Sequence, residues 1–288
     1  MTSTLPPVIL RPITGADRDL EGGLALSQAV LWPYRKEDWR IAQELGDGVV
    51  AEQDGRIVAS ALWWLYGETF ATCGIIIVLP EMQGRGLGRI LMDTILSATA
   101  GRSVLLNSTA EGHRLYQAYG FRDIGTVHQH QACTSAAMAD MPFAGADDLV
   151  RVATEEDLPA ILRLDKKAFG VERSRLIDAF ARIGDLAVIE RNGSVEGCAI
   201  CRPFGLGQAI GPVIARSSSD AQSLIRHFLR TKAGEFVRVD IPGESGLGGW
   251  LAEQGLPEVN SVITMLRGYC PSASGPDRVY CLASQSFG

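Results

Sequence analysis

The feature that most constrains this chain is an internal repeat at a separation of roughly 140 residues. Arg11-Pro-Ile-Thr-Gly-Ala-Asp17 returns as Arg151-Val-Ala-Thr-Glu-Glu-Asp157. Each copy reads as a short strand, a Thr-x-x-Asp helix start and an amphipathic helix, over Leu20–Val30 in the first and Leu158–Phe169 in the second. The parallel continues through Val49-Val-Ala-Glu-Gln-Asp-Gly55 and RIVASALWW, a strand, an Asp-Gly turn and a second strand. Leu186 to Gly193 followed by SVEGCAI repeats that hairpin with Asn-Gly. A fold written twice fits a length of 288 residues, about twice the size of one ordinary core. The predicted organisation is a first domain over 1–134, a linker over 135–148 poor in periodicity and rich in small residues, a second domain over 149–268, and a tail over 269–288. VYCLASQSFG in that tail predicts one last short strand.

Charge narrows the partners. With 27 basic residues against 33 acidic, the net charge of -6 offers no general basic field for nucleic acid, so an anionic ligand must be held locally. No apolar stretch approaches the ~20 residues of a membrane span, and MTSTLPPVIL lacks a basic and an apolar leader region, so a cytoplasmic protein without a membrane partner is expected. Six scattered cysteines are expected as free thiols. Cys198 and Cys201 lie three apart in a strand, on opposite faces, and His128 and His130 have no third ligand near them, so no metal is expected.

One stretch carries chemistry. FATCGIIIV reads as a strand, Leu79-Pro-Glu-Met breaks it, and Gln83-Gly84-Arg85-Gly86-Leu87-Gly88 leads through Arg89 into a helix marked by Leu87, Ile90, Leu91, Ile95 and Ala98. A helix start exposes N–H groups without internal partners, and glycines let a phosphate approach them. The Walker pattern is absent, and the dinucleotide fingerprint fails because Arg stands at 89 and Asn at 107. The competing reading is a capped helix after a Pro turn, with glycines there for close packing.

Downstream, Ser103 to Asn107 reads as the next strand, Glu111 to Tyr119 as a helix, and Gly120-Phe121 as its stop. Here the chain resembles the GNAT N-acetyltransferase superfamily. Gln83-x-x-Gly86-x-Gly88 matches its acyl-CoA loop, and Leu115-Tyr116-x-x-x-Gly120-Phe121 matches its L-Y-x-x-x-G-F segment, 32 residues on. The repeat makes it similar to the tandem, YitH/HolE-like type over residues 8 to 268. The second copy departs from the pattern: Ala215-Arg-Ser-Ser-Ser-Asp-Ala221 has no glycine, and Gly249-Trp-Leu-Ala-Glu-Gln-Gly255-Leu256 has no matching tyrosine. One catalytic domain and one degenerate copy are expected.

The resemblance implies an α/β (α+β) fold of two GNAT-like domains, each a mixed, mostly antiparallel sheet with a splayed central strand. It implies acetyl-CoA as acyl donor and an amine of a small molecule or peptide as acceptor, in a monomer or homodimer. The cofactor-binding set would be Ile77 and Val78 on the splayed strand, Gln83, Gly84, Arg85, Gly86, Leu87, Gly88 and Arg89 in the loop, and Asn107 on the pantetheine arm. Tyr116 matches the position of a general acid near the sulfur. Glu68 is the first choice of general base, through water. Aromatics in the segments 31–40 and 63–68 predict the acceptor cleft, with Trp32, Tyr34 and Trp64 as substrate-binding residues. The rival reading is a non-catalytic acyl-CoA sensor.

Overall fold

A computed structural model describes residues 7–140 and 147–288; residues 141–146 of the expected linker lie outside the described residues. The first half runs β1 (Ile9–Pro12), α1 (Asp17–Ala29), α2 (Lys36–Leu45), β2 (Asp47–Gln53), β3 (Arg56–Tyr66), β4 (Phe70–Val78), α3 (Leu87–Ala98), β5 (Ser103–Ser108), α4 (Ala110–Ala118) and β6 (Arg122–Cys133). The second half runs β7 (Val150–Val152), α5 (Leu158–Phe169), α6 (Ser174–Ile183), β8 (Asp185–Arg191), β9 (Ser194–Phe204), β10 (Gly207–Ala215), α7 (Ser218–Thr231), β11 (Phe236–Pro242), α8 (Gly248–Glu253) and β12 (Glu258–Arg267). The tail adds β13 (Arg278–Cys281), the short strand expected there.

Both expected hairpins form. Asp54 and Gly55 both have positive φ (51° and 76°), as do Asn192 and Gly193 (52° and 73°), the type I′ turn whose twist suits tight hairpins. The repeated arginine anchors each copy. Arg11 binds Asp19 at 2.7 Å and Glu52 at 2.8 Å, tying β1 to α1 and β2; Arg151 binds Asp157 and Glu190, both at 2.7 Å. One detail of the repeat shifts. The counterpart of Asp157 is Asp19, which accepts from the Thr14 backbone N–H at 2.7 Å as Asp157 accepts from Thr154 at 2.8 Å. Asp17 instead lies exposed, 3.1 Å from Lys36.

The strands of both halves join one 13-stranded sheet in the order β1-β2-β3-β4-β5-β12-β6-β11-β10-β9-β8-β7, with β13 on β10. The last strand of each half is thus exchanged: β12 pairs β5 of the first half, β6 pairs β11 of the second, and β6 and β12 pair with each other at the centre. The sheet therefore runs across the boundary that the repeat predicts near 135–148. The expected linker is also anchored where it is described, with Met138 buried in the second core and Asp147 paired with Arg226 at 2.7 Å. No helix among the described residues is long and apolar enough to cross a membrane.

Candidate active site

The site begins with a break in the sheet. Parallel β4 and β5 pair only over Phe70–Thr72 and Ser103–Leu105, and then diverge. The cause lies in β4, whose register against β3 shifts between Ser60 and Leu62 and whose buried Ile75 has φ +51°. A β-branched residue in that region is strained, and the Ser60 hydroxyl, donating to the Ile75 carbonyl at 2.8 Å, holds it there. Beyond the bulge, Ile76, Ile77 and Val78 line a cleft of about 510 Å³. Its other walls are the loop Gln83–Gly88 and the first turns of α4.

Gly86 caps α3 with φ +82°, and Gly84 has φ +75°. A Cβ on either would meet nothing within 4 Å, so the space in front of this helix start is open. Among the described residues, the N–H groups of Gly84 to Gly88 donate to no backbone acceptor, whereas that of Arg89 is taken by Gly86 O at 3.0 Å. The open amides are therefore those of Gly84 to Gly88, and the Arg89 amide is not among them. The Gln83 side chain donates to Val78 O at 3.3 Å and ties loop to strand, while Arg85 and Arg89 stand exposed beside the cradle.

Tyr116 enters the same cleft from α4, with its ring edge-on to Phe121 at 6.2 Å. Gly112, one turn earlier, leaves it room: a Cβ there would come within 3.2 Å of the hydroxyl. Burial, helped by Cys73 nearby, pushes the phenol well above its ordinary range, so it stays protonated at neutral pH. Its hydroxyl has no hydrogen-bond partner among the described residues. Glu111 is the carboxylate of this cleft, held below its ordinary range by its own backbone N–H and by Thr109.

A second cavity of about 300 Å³ adjoins the first across Trp32 and Thr109. Trp32 and Tyr34 line it. Asn107 faces this cavity rather than the cleft, for its amide is already engaged: Nδ2 donates to Gln285 O at 2.8 Å, and Oδ1 accepts from Thr264 at 2.8 Å. Trp64 departs from expectation. It is 1% exposed, donates to Ala42 O at 2.9 Å and packs edge-on against Phe287 at 4.7 Å. Alternation along β3 required one of Trp63 and Trp64 to leave the local core, and the tail covers that one. Glu68 lines neither cavity. It lies exposed in the β3–β4 turn, roughly 25 Å of strand away from the end of β4 that bears the cleft.

Sequence expectation missed Gln129, Gln131, Arg238, Asn260 and Gln285, which complete the second cavity from β6, β11, β12 and the tail. No local motif marks them, because four separated segments supply them. With Trp32 between the two cavities, Trp32→Ala is expected to raise the acceptor KM about tenfold at nearly unchanged melting temperature, checked by steady-state kinetics beside calorimetry.

The equivalent slot of the second half is filled. There β10 and β11 pair over Gln208–Ile210 and Val237–Val239 and then part. Past that point β13 pairs β10 through Val213 to Ala215, and Leu282 N–H donates to Asp240 O of β11 at 2.9 Å. Gly211 allows the approach, since a Cβ would collide with the Leu282 carbonyl. Pro212 next to it has no N–H to offer a ligand. The following helix opens on Ser217, whose side chain accepts from Asp220 N–H at 3.1 Å in place of an open glycine cradle.

A parallel strand pair that parts before a helix is thus present twice, with the glycine turn in the first half alone. Two family models, each described as an acetyltransferase (GNAT) domain, match residues 161–281 and 44–123. The chain thus carries two GNAT acetyltransferase domains in tandem. No curated protein matches it in sequence. Among solved structures, a putative acetyltransferase from Pyrococcus horikoshii superposes with a TM-score of 0.79 at 20% identity, over 100% of this chain and 99% of that one. A GCN5-related N-acetyltransferase from Sphaerobacter thermophilus gives 0.64 at 18%, over 95% and 99%. A tandem GNAT protein from the clavulanic acid biosynthesis pathway gives 0.65 at 13%, over 91% and 98%. At these identities the likeness is one of fold.

Proposed function

We propose that the chain is an acetyl-CoA-dependent N-acetyltransferase whose chemistry lies in the first domain, the second being a degenerate copy. The observation that carries this reading is a contrast between equivalent slots. The slot between β4 and β5 is open and has the Gly84–Gly88 amides and Tyr116 on its walls, while the slot between β10 and β11 holds the chain's own residues 278–282. The donor pyrophosphate would rest on those amides, as anions do at helix starts. Its pantetheine arm would run along Ile76–Val78, with the thioester near Tyr116.

An amine in the 300 Å³ cavity then attacks the thioester carbonyl, and the C–N bond forms as the C–S bond breaks. Tyr116 gives its proton to the leaving thiolate. No carboxylate or imidazole lines that cavity among the described residues. The amine therefore reacts in its neutral form, and its proton passes to water. This replaces Glu68 as general base. A rise of kcat/KM with pH up to the acceptor's own pKa is the matching expectation.

The test is release of free CoA thiol with a panel of amines, using wild type and Tyr116→Phe. The variant should lose about 10²-fold in kcat while acetyl-CoA Kd by calorimetry changes less than about twofold. Undiminished turnover would return Tyr116 to a packing role. Binding of acetyl-CoA without thiol release from any amine would make the protein a sensor.

A further inference from the structure

Resting on that reading, we infer that the acceptor amine also carries a carboxylate, and that Arg238 receives it: the substrate class is an amino acid or an amino-acid-like amine.

The charge around the 300 Å³ cavity is one-sided. Arg238 is the charged side chain on its lining. It binds Asp240 through Nε at 3.1 Å and Nη2 at 2.8 Å, which leaves Nη1 without a protein acceptor among the described residues. Asp240 is buried behind it, and further held by Gln285 Nε2 at 3.3 Å. A second guanidinium stands in the wall behind. Arg202 is 2% exposed, and among the described residues its hydrogen bonds go only to the carbonyls of Ala283 at 3.2 Å and Pro203 at 3.4 Å, with no partner for its Nε. Arg202 and Arg238 share the ring of Phe204, at 5.0 and 5.4 Å from its centroid, and Phe204 lines the cavity. Asp38 near Arg202 is itself paired with Arg35 at 2.8 Å. Asp240 thus matches Arg238 and Asp38 matches Arg35, so of these three guanidiniums and two carboxylates one positive charge, that of Arg202, is left over in a low-dielectric wall.

Burying an uncompensated cation is costly, and burial accordingly pulls the Arg202 guanidinium down to about 10. A ligand anion in the cavity relieves that cost, whereas a polycation adds to it. The remaining polar lining is made of amides. Gln131 accepts from Gln129 at 2.8 Å, Gln129 accepts from Gln285 at 3.5 Å, and Asn260 faces the same space. Amides bind a zwitterion by hydrogen bonds without discriminating against either charge. The volume is at the lower end for small-molecule sites, which fits one amino acid better than a polypeptide segment.

The test is CoA-thiol release from acetyl-CoA with the common L-α-amino acids, each beside its carboxamide and its decarboxylated amine, at one pH of about 8 with kcat/KM expressed per concentration of neutral amine. The carboxylate form of the best acceptor should have a kcat/KM at least about tenfold above both partners. Arg238→Gln should remove that preference, mainly through KM, with acetyl-CoA Kd unchanged, and Arg238→Lys should restore part of it. If Arg238→Gln folds poorly because Asp240 is left unpaired, Arg238→Gln with Asp240→Asn removes both charges and should lose the preference equally. Equal or better turnover of the carboxamides or decarboxylated amines overturns this inference alone. So does a preference that survives loss of Arg238. No thiol release from any amine, with acetyl-CoA bound, overturns the transferase reading and this inference with it.

Discussion

Gly86→Val is expected to weaken acetyl-CoA binding by at least about 100-fold, for two reasons that act together. At φ +82° the cap of α3 is left-handed, where a β-branched residue costs on the order of 1–3 kcal/mol. In addition, its side chain would project into the open space before the helix start, where a Cβ now meets nothing within 4 Å. Gly101→Val separates the two effects. Gly101 has φ +79° and equally open surroundings, but it lies in the turn between α3 and β5, away from the cleft. It should lose comparable stability and keep acetyl-CoA affinity. Calorimetry showing full affinity in Gly86→Val would place the donor elsewhere. Gly88→Val is a less clean probe, since its Cβ would press on Leu115 at 3.1 Å.

Phe287→Ala should destabilise the protein by about 3–5 kcal/mol, read from urea midpoints. This ring is 6% exposed, and it packs edge-on between Trp64 at 4.7 Å in the first half and Phe180 at 5.8 Å in the second. Its backbone is fixed as well, with its carbonyl accepting from Tyr66 at 3.0 Å. Trp64→Ala should cost a similar amount. Because the two rings touch, the double variant should lose less than the sum, by about 1 kcal/mol. Loosening this anchor also frees Gln285 and Ser286 in the cavity wall, so the acceptor KM should rise in Phe287→Ala. A loss under about 1 kcal/mol with an unchanged KM would mean that the tail lies on the protein without organising it.

Much of this was legible in the residues, wherever short-range sterics decide. Asp54-Gly55 and Asn192-Gly193 admit the left-handed turn that closes each hairpin, whatever surrounds them. The glycines at 84 and 86, placed after a strand and before an amphipathic helix, mark an open helix start by backbone geometry alone. Tyr116 was marked by the resemblance, through the segment Leu115-Tyr116-x-x-x-Gly120-Phe121, and α4 carries it into the cleft one turn after Gly112.

Contacts between distant segments leave no such trace. The apolar pattern of β12 states that it is a strand, not that it lies between β5 and β6 of the other half. Trp64 reads as a pocket aromatic until Phe287, 223 positions later, is found against it. Glu68 is near the site in sequence, yet the length of β4 carries it to the opposite end. The 300 Å³ cavity shows this most fully: Arg238, Gln285 and Asn260 meet only because two halves exchange strands and a tail fills the second slot. Backbone conformation is decided within a few residues, so the sequence determined the repeat, the hairpins and the cradle. Strand partners and cavity walls are decided by which buried surfaces fit together, and only the tertiary structure settles that.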